Sequence, residues 1–260
     1  MSDGAVNLAF QGGIATLTLS RPASLNAMSA EMMRSLEQRL REVAELPGLR
    51  VVIITGEGRA FSAGGDLKEF EAALQAGGTK LTDTLRYNQD VLQLVEDLPV
   101  PVIGAANGIA VAGGLELLLC CDIILAAEGT KLGDGHARYA IVPAGGATVR
   151  LLERVSPSHA AQLFYTAASV DVQTLARWGL VNEIVPANEL MARATELAWE
   201  IGANSAEAIR HIKQLISKRA RSRARHRRLR AELKHFADHV SGDDLKEGLA
   251  AFRTKKNPSW

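Results

Sequence analysis

Two glycine-containing segments could bring main-chain N–H groups close to a ligand. They are residues 60–68 (AFSAGGDLK) and residues 107–116 (NGIAVAGGLE). Each places its glycines after a predicted strand and before a predicted helix, whose N-terminus offers unpaired N–H groups and partial positive charge. Glycine at such a junction is often only turn chemistry. Two such segments in one domain, however, indicate an oxyanion hole built from two loops.

A single carboxylate follows the second glycine pair. Glu116 lies in the apolar run 115–119 (LELLL), one helical turn beyond Gly113. A lone carboxylate in such a run is costly to bury without a partner, so an ion-paired core residue is one interpretation. The other is a general acid or base, with burial raising its pKa toward the useful range.

Several common chemistries lack their sequence signs. The chain has no G-x-x-x-x-G-K-[ST] and no G-x-G-x-x-G after a strand, so a phosphate cradle is not indicated. No G-x-S-x-G elbow is present, so serine hydrolysis lacks its usual motif. The adjacent Cys120 and Cys121 fit neither a disulfide nor a metal-ligand spacing, and we expect two small buried residues in a reducing compartment.

The elements that must position these residues alternate between strand and helix. We predict strands at 14–19, 50–55, 102–106 and 122–126, with helices at 29–43, 84–98 and 115–121. Strand, glycine turn and helix recur, which is typical of a layered α/β domain. After residue 155 we predict helices at 158–166, 172–178, 187–202, 206–240 (broken) and 243–252. Residues 72–79 are predicted as a loop, with a mobile lid as the alternative.

Composition fits a globular chain with a sizeable core. The 260 residues are 47% hydrophobic and 23% charged, with a formal net charge of +1. This charge argues against general attraction to nucleic acid or anionic membranes. The apolar segment 109–127 contains Glu116 and Asp122, so we predict protein interior rather than a membrane span. Residues 1–10 show no secretion signal, and we expect a cytoplasmic protein.

A set of motifs resembles one family. They are Ser20-Arg-Pro22 before Asn26-Ala27, Phe61-Ser-Ala-Gly-Gly-Asp66, Asn107-Gly108, Gly113-Gly-Leu-Glu116, Cys121-Asp122, Pro143-Ala-Gly-Gly146 and residues 243–252 (DDLKEGLAAF). Together they resemble the crotonase superfamily, whose best-known members are enoyl-CoA hydratases and isomerases. The resemblance runs from about residue 8 to 252. It implies an α/β fold with a crotonase-like ββα spiral core at 1–200 and a C-terminal helical trimerisation region at 201–260. It also implies homotrimers, often paired into hexamers.

The resemblance also implies a site. The N–H groups of Gly65 and Gly113 would bind the thioester oxygen of an acyl-CoA. The coenzyme A groove would be lined by Ala23, Ser24, Leu25, Ala63, Gly65, Asp66, Leu67, Lys68 and Gly113. Lys255 or Lys256 would reach its phosphates, either within one subunit or across a subunit boundary. Coenzyme A would arrive with the substrate, so no permanently bound cofactor and no metal are expected.

One position departs from the family pattern. Family hydratases use two glutamates, and the second, fourteen residues after Asp122, is His136 here. A neutral imidazole with an unperturbed pKa of about 6.5 could move protons near pH 7, although a hydrogen-bonding role is the alternative. Asp134 could orient His136 or cap the loop. Hydration of a 2-enoyl-CoA is the first hypothesis, with Glu116 and His136 sharing the attacking water; a double-bond shift and hydrolysis, decarboxylation or C–C cleavage remain open.

Residues 218–230 (KRARSRARHRRLR) contain one lysine, seven arginines and no acid. A solvated or subunit-contacting helix face is the first interpretation. Contact with coenzyme A phosphates is an alternative, as is RNA binding, which at least one crotonase relative performs. No aromatic residue interleaves with the arginines, so base stacking is not supported and nucleic acid is not the expected partner.

Overall fold

The computed structural model describes residues 4–76, 78–220, 223–240, 243–256 and 258, with the backbone alone at 78–79, 217–220 and 243. The strands are β1 (Val6–Gln11), β2 (Ile14–Leu19), β3 (Val51–Gly56), β4 (Ala60–Ser62), β5 (Val102–Ala106), β6 (Ile109–Val111), β7 (Ile123–Ala127), β8 (Lys131–Gly133), β9 (Ser169–Asp171) and β10 (Glu183–Val185). The helices are α1 (Ala30–Ala44), α2 (Leu67–Gln75), α3 (Gly78–Asp97), α4 (Gly113–Cys120), α5 (Ala147–Arg150), α6 (Pro157–Thr166), α7 (Val172–Arg177), α8 (Leu190–Gly202), α9 (Ala206–Ala220), α10 (Arg223–His239) and α11 (Asp243–Thr254).

A six-stranded sheet forms the base of the fold, in the order β1-β2-β3-β5-β7-β10. Only the β1–β2 pair is antiparallel; the other neighbours run parallel. The predicted strand at 50–55 is confirmed as β3, which is buried on both faces. Its Val52 and Ile54 enter the larger apolar core, while Val51 and Ile53 pack with Ala194 and other residues of α8. Such two-faced burial is the usual reason for a near-continuous apolar run.

A second, four-stranded sheet follows the order β4-β6-β8-β9. Strands β4, β6 and β8 are parallel neighbours, and β9 pairs antiparallel with β8. Each strand has only three residues, too few to show alternation in the sequence. Strand β4 accordingly lies in residues 56–65, where the sequence predicts neither a strand nor a helix.

Helix α1 matches its predicted start. The Ser29 side chain accepts a hydrogen bond from Met32 N at 3.1 Å, which satisfies one unpaired N–H of the first turn. Met33, Leu36 and Leu40 are buried on one stripe, as the helical spacing predicts.

The apolar segment 109–127 forms β6, α4 and β7, so its prediction as protein interior is confirmed. Cys120 and Cys121 are buried thiols. Among the described residues, no helix has both the length and the apolar character needed to cross a bilayer.

The C-terminal helices cover one end of the fold. Phe236 of α10 and Leu249 of α11 share an apolar cluster with Leu81 of α3. Helices α9 and α10 lie on either side of residues 221–222, which are outside the described residues, so the predicted break within 206–240 stays a prediction. The predicted loop at 72–79 is wrong, since α2 extends to Gln75 and α3 begins at Gly78. The division of the chain at residue 200 falls within α8 and stays a prediction.

Candidate active site

Three loops meet at one edge of the small sheet. They follow β4, β6 and β8 and carry Gly65, Gly113 and His136 respectively. The carboxyl ends of parallel neighbours lie at the same edge, where open α/β sheets commonly bind ligands. Ala112 N donates to Gly133 O at 3.1 Å, which joins the second loop to the third. The topology therefore brings together segments that are far apart in sequence.

The amides of Gly65 and Gly113 lie close together. A Cβ built on Gly113 would be 3.7 Å from Gly65 N, and a Cβ built on Gly64 would be 3.3 Å from Gly113 N. Within the described part of the chain, neither amide donates a hydrogen bond. Gly65 is exposed and Gly113 is half-buried, so a ligand can reach them. Two such donors are what a developing oxyanion requires.

Ala112 holds an unusual backbone conformation immediately before Gly113. Its φ and ψ are 50° and −121°, in a region that residues with a Cβ rarely adopt. Glu116 N donates to Ala112 O at 3.0 Å and closes the first turn of α4. The conformation of Ala112 thus fixes the position of the Gly113 amide at the start of α4.

Glu116 is buried and firmly held. Its Oε1 accepts hydrogen bonds from Gly145 N at 2.9 Å and Ala147 N at 3.2 Å. Burial raises the pKa of Glu116 to about 7; the charges of two nearby carboxylates add to this, while His136 and the Ala147 N–H oppose it. The expected rise of this pKa is therefore found. Near neutral pH both the acid and the carboxylate are populated, as general acid–base work requires.

His136 and Asp134 form a pair in the third loop. His136 Nδ1 lies 2.9 Å from Asp134 Oδ1, and His136 N donates to Asp134 Oδ2 at 3.3 Å. Burial alone would lower the pKa of His136. The charge and hydrogen bond of Asp134, together with Glu116 and Glu232, outweigh it and raise this pKa to about 9. The neutral imidazole expected from the unperturbed pKa is therefore corrected to an imidazolium at pH 7. Asp134 both orients the ring and caps the turn.

Glu232 of α10 is a third buried carboxylate, which the sequence did not reveal. It accepts hydrogen bonds from Gly146 N, from Thr148 N at 2.8 Å and from the Thr148 hydroxyl. Its charge raises the pKa of both Glu116 and His136. In sequence it is one glutamate in a helix of charged residues, with no motif around it.

The segments expected to line the coenzyme A groove are neighbours. Ala63 N donates to Leu25 O at 2.9 Å, and Met28 N donates to Gly64 O at 2.7 Å. These bonds place Ala23, Ser24 and Leu25 beside Ala63, Gly65, Asp66, Leu67 and Lys68. Asp66 caps α2 by accepting from Lys68 N at 3.2 Å, so Leu67 begins the helix.

Buried Asn26 supports this arrangement. Its side-chain amide donates to Glu57 O at 3.0 Å and Ala60 O at 2.8 Å, and its Oδ1 accepts from Arg21 N at 2.9 Å. Asn26 also adopts a left-handed conformation, with φ 55°. The side chain thereby ties the turn after β2 to the strand that leads to Gly65.

The C-terminal cations are less closely tied to the site. Lys255 and Lys256 are exposed beyond the end of α11, and no hydrogen bond or ion pair joins them to the groove segments in the described residues. Within the arginine-rich stretch, Arg225 is buried and pairs with Glu96 at 2.7 Å and Glu153 at 3.0 Å. Arg225 therefore departs from the expected solvated face, whereas Arg223, Arg227, Arg228 and Arg230 are exposed, as that interpretation requires. Residues 221–222 of the stretch lie outside the described residues.

The fold and the site together define a class of α/β protein in which two amides beside a buried carboxylate could stabilise an oxyanion. The family model described as enoyl-CoA hydratase/isomerase matches residues 9–260. The putative enoyl-CoA hydratase/isomerase YngF of Bacillus subtilis is 36% identical over 94% of this chain and 92% of its own. A crotonyl-CoA hydratase of Syntrophomonas wolfei is 32% identical over 95% and 94%.

A solved structure shows the same architecture. An enoyl-CoA hydratase/isomerase from Xanthobacter autotrophicus Py2 superposes with a TM-score of 0.88 at 26% identity, covering 96% of this chain and 93% of that one. The chain therefore belongs to the enoyl-CoA hydratase/isomerase family of the crotonase superfamily, which confirms the resemblance and the fold class.

Proposed function

We propose that this chain hydrates a 2-enoyl-CoA thioester to the corresponding 3-hydroxyacyl-CoA. The observation that carries the proposal is that the amides of Gly65 and Gly113 lie close together and have no hydrogen-bond partner among the described residues. One helical turn beyond Gly113 is the buried Glu116, whose pKa is about 7. The names of the hydratase relatives support the same reaction. Family membership alone does not choose hydration over isomerisation, so the acid–base groups must account for the addition of water.

In this mechanism the thioester oxygen accepts hydrogen bonds from the Gly65 and Gly113 amides. The Glu116 carboxylate takes a proton from water, and the resulting hydroxide adds to C3 of the enoyl group. Electrons of the C2–C3 double bond move toward the thioester and place negative charge on its oxygen. Each amide donor then contributes most when this charge develops, and losing one such donor typically costs about 3–4 kcal/mol of barrier.

The second half of the addition needs an acid at C2. His136 is an imidazolium near neutral pH, and it gives its proton to C2 of the enolate. The cycle leaves Glu116 protonated and His136 neutral. A proton passed from Glu116 to His136, directly or through water, restores the resting state. The pair thus replaces two glutamates with one carboxylate and one cationic acid.

The groove formed by residues 23–25 and 63–68 is proposed to hold coenzyme A. The exposed Gly65 and Lys68 leave this surface open to a long ligand. We extend the proposal to self-association as a trimer or hexamer in the cytoplasm. The apolar side chains of Ile212, Leu215 and Ile216 on α9 are 51%, 59% and 66% exposed, which a subunit contact would cover.

The test is a mass-spectrometric screen of acyl-CoA thioesters with wild type and Glu116→Gln. We expect a gain of one water on a 2-enoyl-CoA, with a rate at least about a hundredfold lower in the variant and unchanged coenzyme A binding. Isomerised or hydrolysed thioester in place of the hydrated product would overturn the proposal. His136→Glu adds a check, because a large gain in crotonyl-CoA hydration would mean that hydration is not the native reaction.

A further inference from the structure

One turn of the main chain holds both buried glutamates. We call residues 145–148 the glycine turn; its four consecutive amides alternate between two acceptors. The bonds are Gly145 N and Ala147 N to Glu116 Oε1 (2.9 and 3.2 Å), and Gly146 N and Thr148 N to Glu232 (2.5 and 2.8 Å). Because alternate amides face opposite ways, moving one carboxylate shifts the donors of the other.

Glu232 is well placed to fix this turn. Its side chain is 5% exposed, and it also accepts a hydrogen bond from the Thr148 hydroxyl. Gln89 of α3 donates to Ala144 O at 3.2 Å and to Leu229 O at 3.4 Å, which ties the start of the turn to α10. Helix α10 is therefore joined directly to the glycine turn through Glu232, and through Gln89 to Ala144, the residue just before the turn. Hydrogen bonds to a charged acceptor are among the stronger ones in proteins.

We propose that Glu232 is a positioning residue that holds the glycine turn so that its alternate amides fix the carboxylate of Glu116. This inference rests on the proposed function only in its catalytic consequence, since the geometry stands in the unliganded protein. Glu232 touches the turn rather than the reacting atoms. Its effect on the reaction therefore passes through Glu116 and, by its charge, through His136.

Other charged groups act on the same two residues. Those that interact with Glu116 are Asp134 and His136 of the loop after β8, Arg150 of α5, Cys120 of α4 and Glu232 of α10. Those that interact with His136 are Asp134, Glu116 and Glu232. Of the groups named here from the described part of the chain, Glu232 is the one on the C-terminal helices, so replacing it removes their main contribution and leaves that of the core.

The test compares Glu232→Gln and Glu232→Ala with wild type by NMR titration of the free protein, using labelled glutamate and histidine side chains. Removing the negative charge lowers the titration midpoints of both Glu116 and His136, by about half a pH unit or more. The kcat for a 2-enoyl-CoA falls at least about tenfold while KM changes little, with the larger loss in Glu232→Ala. Both limbs of the kcat/KM pH profile move to lower pH.

Leu233→Ala is the matched control. This residue adjoins Glu232 in α10 and packs in the C-terminal apolar cluster, which includes Ala144 just before the glycine turn. Its truncation lowers stability but removes no hydrogen bond and no charge from the turn. The titration midpoints stay at their wild-type values in this control. Unmoved midpoints in Glu232→Gln would overturn the inference. If the titration midpoints of Glu116 and His136 move but the protein turns over no 2-enoyl-CoA, the proposed function alone is overturned.

Discussion

Asp134 binds His136 on both its ring and its main chain. Its Oδ1 lies 2.9 Å from the imidazole Nδ1, and its Oδ2 accepts the His136 N–H at 3.3 Å. With Nδ1 committed to the carboxylate, Nε2 is the ring atom left to exchange a proton with a substrate. The same pairing raises the pKa of His136, so the proposed mechanism has one base and one acid of different chemical type.

The first prediction is a bell-shaped pH profile of kcat/KM. Glu116 must be ionised to accept a proton from water, so activity rises with pH around the pKa of about 7. His136 must be protonated to donate a proton to C2 of the enolate, so activity falls with pH around the His136 pKa of about 9. The two limbs are properties of the coupled pair. Steady-state kinetics between pH 5.5 and 10 checks this; a profile flat above pH 8 would remove His136 as the acid.

Asp134→Asn is the second prediction. The amide keeps a hydrogen-bond acceptor beside Nδ1 but removes the charge that most raises the pKa of His136. The alkaline limb of the pH profile should therefore move down by about one unit or more. His136→Ala should damage activity more than Asp134→Asn, because it removes the acid itself. The reverse ranking in kcat would identify the aspartate as the working group.

Gly145→Ala is the third prediction and tests how closely Glu116 is packed. A Cβ on Gly145 would lie 2.2 Å from Glu116 Oε2, so the carboxylate must move away from its donors. We expect at least about a hundredfold loss of kcat with the fold retained, since small displacements of a reacting group are costly. Gly202→Ala is the control, because its Cβ would meet only Arg50 Cβ at 3.8 Å. Equal activity in both variants would contradict the packing.

The sequence predicted the parts of the fold that carry long patterns. The continuous apolar run of β3 and the 3.6-residue spacing in α1 predicted both elements. Motifs selected Gly65, Gly113 and Glu116, and their proposed roles stay predictions. The three-residue strands β4, β6 and β8 were not predicted, because such short segments show no periodicity. The residues at this edge of the small sheet were therefore predicted from the family motifs and not from predicted strands.

Long-range electrostatics was the part that the sequence could not supply. Glu232 lies 116 positions after Glu116 in the chain, and only the packing of α10 brings the two to one turn. The prediction of a neutral His136 is wrong for a more local reason, the charge of Asp134 two residues before it. An unperturbed pKa ignores the Asp134 carboxylate, whose closeness depends on the turn after β8.

The fourth prediction concerns the pH dependence of stability. From pH 4.5 to about 7 the folded chain keeps a proton on Glu116 that the unfolded chain loses. The free energy of unfolding must therefore fall with rising pH through this window because of Glu116. In Glu116→Gln this fall should be smaller, by on the order of 1–3 kcal/mol. Urea unfolding at pH 5 and pH 8 measures the difference; identical changes in the two proteins would contradict the raised pKa.

The last prediction is that Ala112→Gly raises the stability of the protein and lowers its kcat. Ala112 has φ 50° and ψ −121°, which glycine adopts without the steric cost that a Cβ brings. Relief of this strain, less the extra backbone entropy of glycine in the unfolded chain, should gain about 1 kcal/mol, or roughly 2–4 °C in Tm. Ala112→Val should lower Tm, because a β-branched side chain is still less compatible with positive φ.

Because Ala112 directly precedes Gly113, the freer backbone should hold the Gly113 amide less firmly and reduce kcat. Calorimetry and kinetics on the same samples decide the matter: a lower Tm in Ala112→Gly would show that the conformation is not strained, and an unchanged kcat would show that the oxyanion amide is fixed by other contacts.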